Sequence, residues 1–132
     1  MTQVPVVRDC MATDLITLSP EAEITQAMMV LLDAKISGAP VVDQDGRLCG
    51  VLSKKDCLKA ALNASYYQDW GGAVKDYMQA PVETLDADLD VVEAAERFLA
   101  SNYRRFPVVE GGELIGQVSR ADILRALSKQ WS

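Results

Sequence analysis

The fold of this chain is decided by residues 40–56, which read PVVDQDGRLCGVLSKKD. The same pattern returns at residues 107–122 as PVVEGGELIGQVSRAD. Each stretch predicts a short apolar strand, a polar turn, a second strand and the start of a helix. Gly46 in the first turn and Gly111 with Gly112 in the second allow the positive backbone angles that a tight hairpin requires. Each stretch ends in Ser-x-x-Asp, at 53–56 and at 119–122, and we expect the function to reside there.

The repetition extends beyond these stretches, with a shift of 67 residues before the turn and 66 after it. Ahead of each hairpin, apolar residues recur at the spacing i, i+3, i+4, i+7, i+8, which predicts an amphipathic helix with one buried face. These two aligned sets are Ile24, Ala27, Met28, Leu31 and Leu32, and Val91, Ala94, Ala95, Phe98 and Leu99. Ser19 followed by Pro20 predicts the start of the first helix, and Asp86 is the matching cap of the second.

The chain is therefore a tandem duplication of a β-α-β-β-α unit. We predict a first repeat at residues 1–62 (copy one), a linker at 63–73 and a second repeat at 74–132 (copy two). Either repeat alone would bury too little surface, so we expect an α+β fold in which the two pack with pseudo-two-fold symmetry. The linker holds three of the eight aromatic residues, Tyr66, Tyr67 and Trp70. Either these rings pin the linker to the core, with Trp70 partly covered, or they form an interaction patch.

Composition excludes several classes of function. The net charge of −6 disfavours binding of nucleic-acid polymers, which requires a positive surface. The absence of histidine removes Ser-His and Cys-His nucleophile pairs, and we expect no metal site. Three cysteines without C-x-x-C spacing, and an N-terminal segment unlike a secretory signal, favour the cytoplasm. No apolar run reaches the roughly eighteen residues of a membrane span.

The duplicated pattern of Pro-Val-Val strand, Gly-apolar-apolar-Ser and Ser-x-x-Asp helix start resembles a tandem pair of cystathionine-β-synthase (CBS) domains, the Bateman module. The resemblance covers residues 6–127. It implies a non-enzymatic regulatory protein that binds AMP, ADP, ATP or an S-adenosyl compound such as S-adenosylmethionine in clefts between the repeats, and that requires no cofactor. It also implies a homodimer and an unidentified regulated protein as partner.

The Ser-x-x-Asp tetrads have two interpretations that the sequence leaves open. Ser53 with Asp56, and Ser119 with Asp122, fit a capping box in which the serine and the acid cap each other's backbone N–H groups. The same geometry suits a ligand, because a helix N-terminus favours phosphate and a carboxylate accepts hydrogen bonds from ribose hydroxyls. In the family this Asp holds ribose and this Ser approaches phosphate.

Further ligand-binding residues follow from position and from the resemblance. Basic residues near the tetrads would together create a local positive potential for phosphate, although any one of them is more simply explained as ordinary surface charge. These residues are Lys54, Lys55, Arg104, Arg105 and Arg120. Residues at the family's adenine-slot positions are Ile16, Thr17, Ala39, Pro40, Val82, Thr84, Phe106 and Pro107. Strand-core packing is the alternative for Ile16 and Val82. We expect copy one to bind more strongly, because its approach Gly50-Val51-Leu52 is fully apolar and two lysines follow Ser53.

We therefore predict a stand-alone CBS-domain protein that senses an adenosine-containing small molecule by a population shift. One alternative is a constitutive dimeric interaction module without ligand. Another is an enzyme acting on nucleotides, which the lack of histidine and of a Walker-type Gly-Lys-Ser/Thr disfavours.

Overall fold

The computed structural model describes residues 4–68 and 71–131 of the chain. Its copy-one elements are α1 (Ile24–Ala34), β1 (Gly38–Val42), β2 (Leu48–Ser53) and α2 (Lys54–Tyr67). Its copy-two elements are α3 (Val74–Tyr77), β3 (Leu85–Asp86), α4 (Val91–Leu99), β4 (Arg105–Glu110), β5 (Glu113–Ser119) and α5 (Arg120–Ser128). Short 3-10 helices span Val7–Asp9 and Lys129–Trp131. The prediction of an α+β fold built from repeated units is confirmed.

The chain divides into two compact units. The copy-one unit is Ile16–Val82, which includes α3 from the start of copy two. The copy-two unit joins Met1–Leu15, from the start of copy one, to Glu83–Ser132. In each unit an antiparallel hairpin, β1–β2 or β4–β5, accepts a parallel partner on its first strand. That partner is the single residue Leu18 in the copy-one unit and the strand β3 in the copy-two unit. Each unit has its own apolar core beneath the hairpin, with Leu31 in one and Phe98 in the other.

The outer edge of each hairpin is paired with a segment from the beginning of the other repeat in sequence. In the copy-one unit, Gln79 exchanges backbone hydrogen bonds with Val51 at 2.9 and 3.0 Å. In the copy-two unit, Ala12 pairs in the same way with Gln117, at 2.8 and 2.9 Å. These segments cover strand edges that would otherwise expose unpaired backbone groups. They also bring Gln79 and Ala12 beside the Ser-x-x-Asp tetrads.

The helices that follow the first strands begin later than predicted. The N-caps are Glu23 for α1 and Asp90 for α4, so the expected starts at Ser19-Pro20 and at Asp86 are wrong. The reason is a tertiary backbone pairing that keeps the capping residue extended. Ile24 N–H donates to Gly72 O at 3.1 Å, and Val91 N–H donates to Pro5 O at 3.0 Å.

Replacing the α4 cap tests this assignment of the helix start. The Oδ1 atom of Asp90 accepts a hydrogen bond from Glu93 N–H at 2.8 Å, whereas Glu23 makes no side-chain cap. Asp90→Ala should therefore lower the free energy of unfolding by about 1 kcal/mol. The matched variant Glu23→Ala should change it by only a few tenths. Urea unfolding curves measure both, and equal losses would contradict the assignment.

Several predicted burial patterns need correction. Ile24, Ala27 and Leu31 are buried on α1, but Leu32 is 57% exposed and its copy-two counterpart Leu99 is 89% exposed. Both leucines lie at the flank of the apolar face, where no other described element of their unit covers them.

Part of the predicted linker is helical, because α2 continues to Tyr67. Tyr66 and Tyr67 are each 75% exposed, so the interpretation that they pin a linker to the core is wrong. The predicted partial cover of Trp70 lies outside the described residues. In the described part of the chain, no helix is both long and apolar enough to cross a membrane.

Candidate functional site

Both Ser-x-x-Asp tetrads form capping boxes at the first turn of a helix, α2 in one unit and α5 in the other. Ser53 N–H donates to Asp56 Oδ2, and Ser119 N–H donates to Asp122 Oδ2, each at 2.9 Å. In return the Asp56 and Asp122 N–H groups donate to the serine Oγ atoms, each at 3.2 Å. The cap therefore uses the same carboxylate oxygen in both copies, and Oδ1 takes no part in it.

In the copy-one unit, the Asp56 carboxylate is enclosed by donors. The residue is only 2% exposed. Its Oδ2 atom also accepts a hydrogen bond from the Ser53 hydroxyl at 2.9 Å, and its Oδ1 atom accepts one from Gln79 Nε2 at 3.2 Å. Three donors thus satisfy a buried negative charge, as a low-polarity environment requires.

In the copy-two unit, the corresponding carboxylate is more accessible. The Asp122 side chain is 18% exposed, and Oδ1 accepts a hydrogen bond from Arg125 Nη2 at 2.6 Å. Arg125 lies one turn along α5, and its own side chain is 68% exposed. Ala12 occupies the position that Gln79 has in the copy-one unit, and its methyl group cannot donate a hydrogen bond to Asp122 as the Gln79 amide does to Asp56.

A cavity of about 410 Å³ opens beside Asp122 within the copy-two unit. Its lining combines two carboxylates, two cations, an amide, a thiol and small apolar groups: Pro5, Asp9, Cys10, Asp122, Arg125, Ala126, Lys129 and Gln130. This volume falls within the range of small-molecule pockets. Sequence reasoning recognised only Asp122 among these residues, because the others share no motif.

Cys10 contributes a neutral wall to this cavity. Burial raises the pKa of its thiol, and the carboxylates of Asp122 and Asp9 raise it further. Arg125 and Lys129 oppose this rise. The thiol is consequently protonated at neutral pH. In the copy-one unit the matching residue is Tyr77, whose ring packs on the apolar core and whose hydroxyl donates to Gly71 O at 3.4 Å.

Of the predicted adenine-slot residues in the copy-one unit, Ala39 and Pro40 lie in β1, whereas Ile16, Thr17 and Val82 lie outside the strands. Ala39 and Pro40 are buried in β1, and Pro40 O accepts a hydrogen bond from Leu18 N–H at 2.9 Å. Ile16 is 43% exposed and Thr17 is exposed, so the core-packing alternative for Ile16 is wrong. Val82, at the end of this unit, is half-buried.

The slot residues of the copy-two unit are more deeply placed. Phe106 is fully buried, with its ring centroid 4.7 Å from that of Phe98 and 5.2 Å from that of Tyr103. Pro107 is buried and Thr84 is half-buried. The Phe106 side chain is therefore part of the core, and its ring does not line an exposed slot.

The predicted basic residues lie beside the tetrads on exposed surface. Lys54 N–H donates to Ser37 O at 2.8 Å, and Arg120 N–H donates to Arg104 O at 3.2 Å. These equivalent bonds join each helix start to the residue that precedes its hairpin. The Arg120 guanidinium additionally donates to Tyr103 O at 3.0 Å. Lys55 is exposed in the first turn of α2, and Arg105 is exposed at the start of β4. Within residues 4–68 and 71–131, no cluster of acidic or cysteine side chains could hold a metal ion.

Comparison with known proteins gives the same pattern of two repeats. The CBS domain profile matches residues 7–63 and 74–129. The chain is 27% identical over 126 residues to the uncharacterized protein MJ1225 of Methanocaldococcus jannaschii, covering 96% of this chain and 44% of that protein. It therefore spans less than half the length of this curated relative.

Two solved structures resemble almost the whole chain. CBSX2 of Arabidopsis thaliana, crystallised with AMP, is 28% identical, with a TM-score of 0.81 and coverage of 96% of this chain and 98% of that one. The CBS domain pair of MJ0100, in complex with 5′-methylthioadenosine and S-adenosyl-L-methionine, is 25% identical, with a TM-score of 0.75 and coverage of 97% and 99%. The chain belongs to the CBS-domain family and carries two copies of the domain.

Proposed function

We propose that this CBS-domain pair is a regulatory module that binds an adenosine-containing ligand at its Ser-x-x-Asp tetrads. The observation that carries the proposal is that the two oxygens of each Asp carboxylate have different hydrogen-bond partners. Oδ2 caps the helix in both copies, and Oδ1 takes no part in the cap and accepts hydrogen bonds from side chains alone. A ribose diol needs such an acceptor, and hydrogen bonds to a charged acceptor contribute about 1.5–3 kcal/mol.

The surroundings of each tetrad suit the remainder of such a ligand. α2 and α5 each present a helix N-terminus, whose dipole favours anionic groups. Lys54 and Arg120 stand at these first turns, and Arg104 adjoins Arg120. The ligands named for CBSX2 and MJ0100 are AMP, 5′-methylthioadenosine and S-adenosyl-L-methionine, which share the adenosine group.

Ligand binding would act by changing conformational populations. A ligand that binds one packing of the module more tightly stabilises that packing by its differential affinity. A regulated protein that recognises the same packing would then bind better in the presence of the ligand, and the coupling would be reciprocal. The proposal includes no catalytic step, because the serine hydroxyl oxygen of each tetrad accepts a hydrogen bond within the helix cap.

Isothermal titration calorimetry tests the proposal with AMP, ATP, 5′-methylthioadenosine and S-adenosyl-L-methionine as probes. We expect saturable binding of at least one probe, and loss of roughly tenfold to a hundredfold in affinity when the ligand-holding Asp becomes Ala. Absence of binding by all four probes at millimolar concentration would instead support a constitutive interaction module. Formation of product from ATP would contradict a non-enzymatic role.

We also propose that the module is a homodimer formed through its exposed helical leucines. Leu58 on α2 is 70% exposed and Leu124 on α5 is 61% exposed, and these residues are equivalent in the two copies. Leu62, one turn after Leu58 on α2, is also 58% exposed, and an exposed apolar helix face of this kind is typical of protein interfaces. Sedimentation velocity at micromolar concentration should show a dimer that Leu58→Lys or Leu124→Lys weakens at least tenfold. Lys59→Ala, beside Leu58, is the control, and a wild-type monomer of 14.4 kDa would contradict the proposal.

A further inference from the structure

The two tetrads differ in what lies over the carboxylate oxygen that the cap does not use. In the copy-one unit, that donor is the amide of Gln79. Gln79 follows Asp56 by 23 residues in sequence. Its backbone is fixed against β2 by two hydrogen bonds with Val51, and these bonds hold its side chain beside Asp56. Together with the burial of Asp56, this amide closes the acceptor to solvent.

The copy-two unit has the same backbone arrangement without the amide. Ala12 pairs with Gln117 as Gln79 pairs with Val51, and its methyl group cannot donate a hydrogen bond. The donor there is Arg125, a long side chain that is largely exposed. Exposed ion pairs of this kind contribute little to stability and rearrange readily. The cavity beside Asp122 then offers room, and a displaced Arg125 remains close enough to meet an anionic group.

We propose that the adenosine ligand binds at Asp122 in the copy-two unit, with its anionic or zwitterionic part in the adjoining cavity, and that Gln79 keeps the Asp56 tetrad closed. This inference rests on the proposed function. A ribose hydroxyl at Asp122 replaces one exposed arginine, whereas at Asp56 it would have to displace an anchored amide from a buried carboxylate. The order of the two sites is the reverse of the one that Lys54 and Lys55 predict.

Reciprocal exchange of residues 12 and 79 tests the proposal by calorimetry on the full chain, with AMP and S-adenosyl-L-methionine as probes. The wild type should bind one ligand per chain. Asp122→Asn, which keeps an oxygen for the cap, should weaken binding at least tenfold, and Asp56→Asn should change it less than twofold. Gln79→Ala should raise the stoichiometry towards two, and Ala12→Gln should weaken the first site at least tenfold. Gln26→Ala, an exposed glutamine on α1, is the matched control and should change nothing.

The outcomes separate this inference from the proposed function. Two equal sites in the wild type, or loss of binding in Asp56→Asn but not in Asp122→Asn, would overturn the inequality while leaving adenosine binding in place. A Gln79→Ala variant that still binds a single ligand would overturn the role of Gln79. Failure of both probes to bind the wild type and every variant would overturn the proposed function and this inference with it. Circular dichroism of each variant shows that the fold is retained.

Discussion

Asp56→Ala should lower the free energy of unfolding by about 3 kcal/mol in the absence of any ligand. The substitution removes the acceptor of three hydrogen bonds, from Ser53 N–H, the Ser53 hydroxyl and the Gln79 amide. Because this site is buried, the Ser53 N–H loses its partner where water replaces it poorly. Urea denaturation of the wild type and the variant measures the difference.

Asp122→Ala is the matched comparison, since it removes an equivalent cap in a more accessible place. Among residues 4–68 and 71–131, the donors to its carboxylate are the Ser119 N–H and the exposed Arg125, so the loss should be about 1–2 kcal/mol. Equal losses in the two variants would contradict the environments described here. They would mean that Gln79 and the burial of Asp56 contribute nothing to the carboxylate's stability.

Gly50→Ala and Gly116→Ala should each destabilise their unit by about 3 kcal/mol, at the upper end of the range for overpacking. A Cβ atom on Gly50 would lie 2.7 Å from both Gln79 O and Met78 Sδ. On Gly116 it would lie 2.5 Å from Met11 Sδ and 2.9 Å from Ala12 O. The carbonyl oxygens belong to the edge segments that pair with the hairpins, so relieving the clash breaks backbone hydrogen bonds.

Gly111→Ala is the control for these glycine variants. Nothing lies within 4 Å of a Cβ atom there. Its φ of +60° is unfavourable for alanine, so we expect a loss of stability from backbone strain alone, at about 1–2 kcal/mol. Thermal or urea unfolding of the three variants gives the comparison. Gly50→Ala as stable as wild type would show that the edge segment does not pass over β2 as described.

Local sequence signals were sufficient to predict the hairpins and the helix starts at Ser53 and Ser119. Alternating apolar strands, turn glycines and a Ser-x-x-Asp cap act over a few residues, and the duplicated pattern showed them twice. The capping interpretation also followed from spacing, since a capping box needs only residues N-cap and N3. The repeated Gly50 and Gly116 were visible as a pattern, but their cause, the passing edge segment, was not.

The contacts that distinguish the two tetrads could not be predicted from sequence. Gln79 reaches Asp56 only because its segment pairs with β2, and such pairings between distant residues leave no periodic trace. Other long-range pairings, of Glu23 with Ala73 and of Asp90 with Val6, moved the helix starts to Ile24 and Val91 against the local preference of Ser19-Pro20. The cavity beside Asp122 likewise depends on the N-terminal segment that places Asp9 and Cys10 against α5.

The most direct test of the central claim is the melting temperature of the wild type and of Asp122→Asn, each with and without saturating AMP or S-adenosyl-L-methionine. If Asp122 holds the ligand, a probe at a hundred times its dissociation constant should stabilise the wild type by about 2.7 kcal/mol, and the ligand-dependent part of the shift should largely disappear in the variant. If the tetrad is only a helix cap, the variant will melt lower than the wild type by the same amount with and without the probe, and that result would contradict the account.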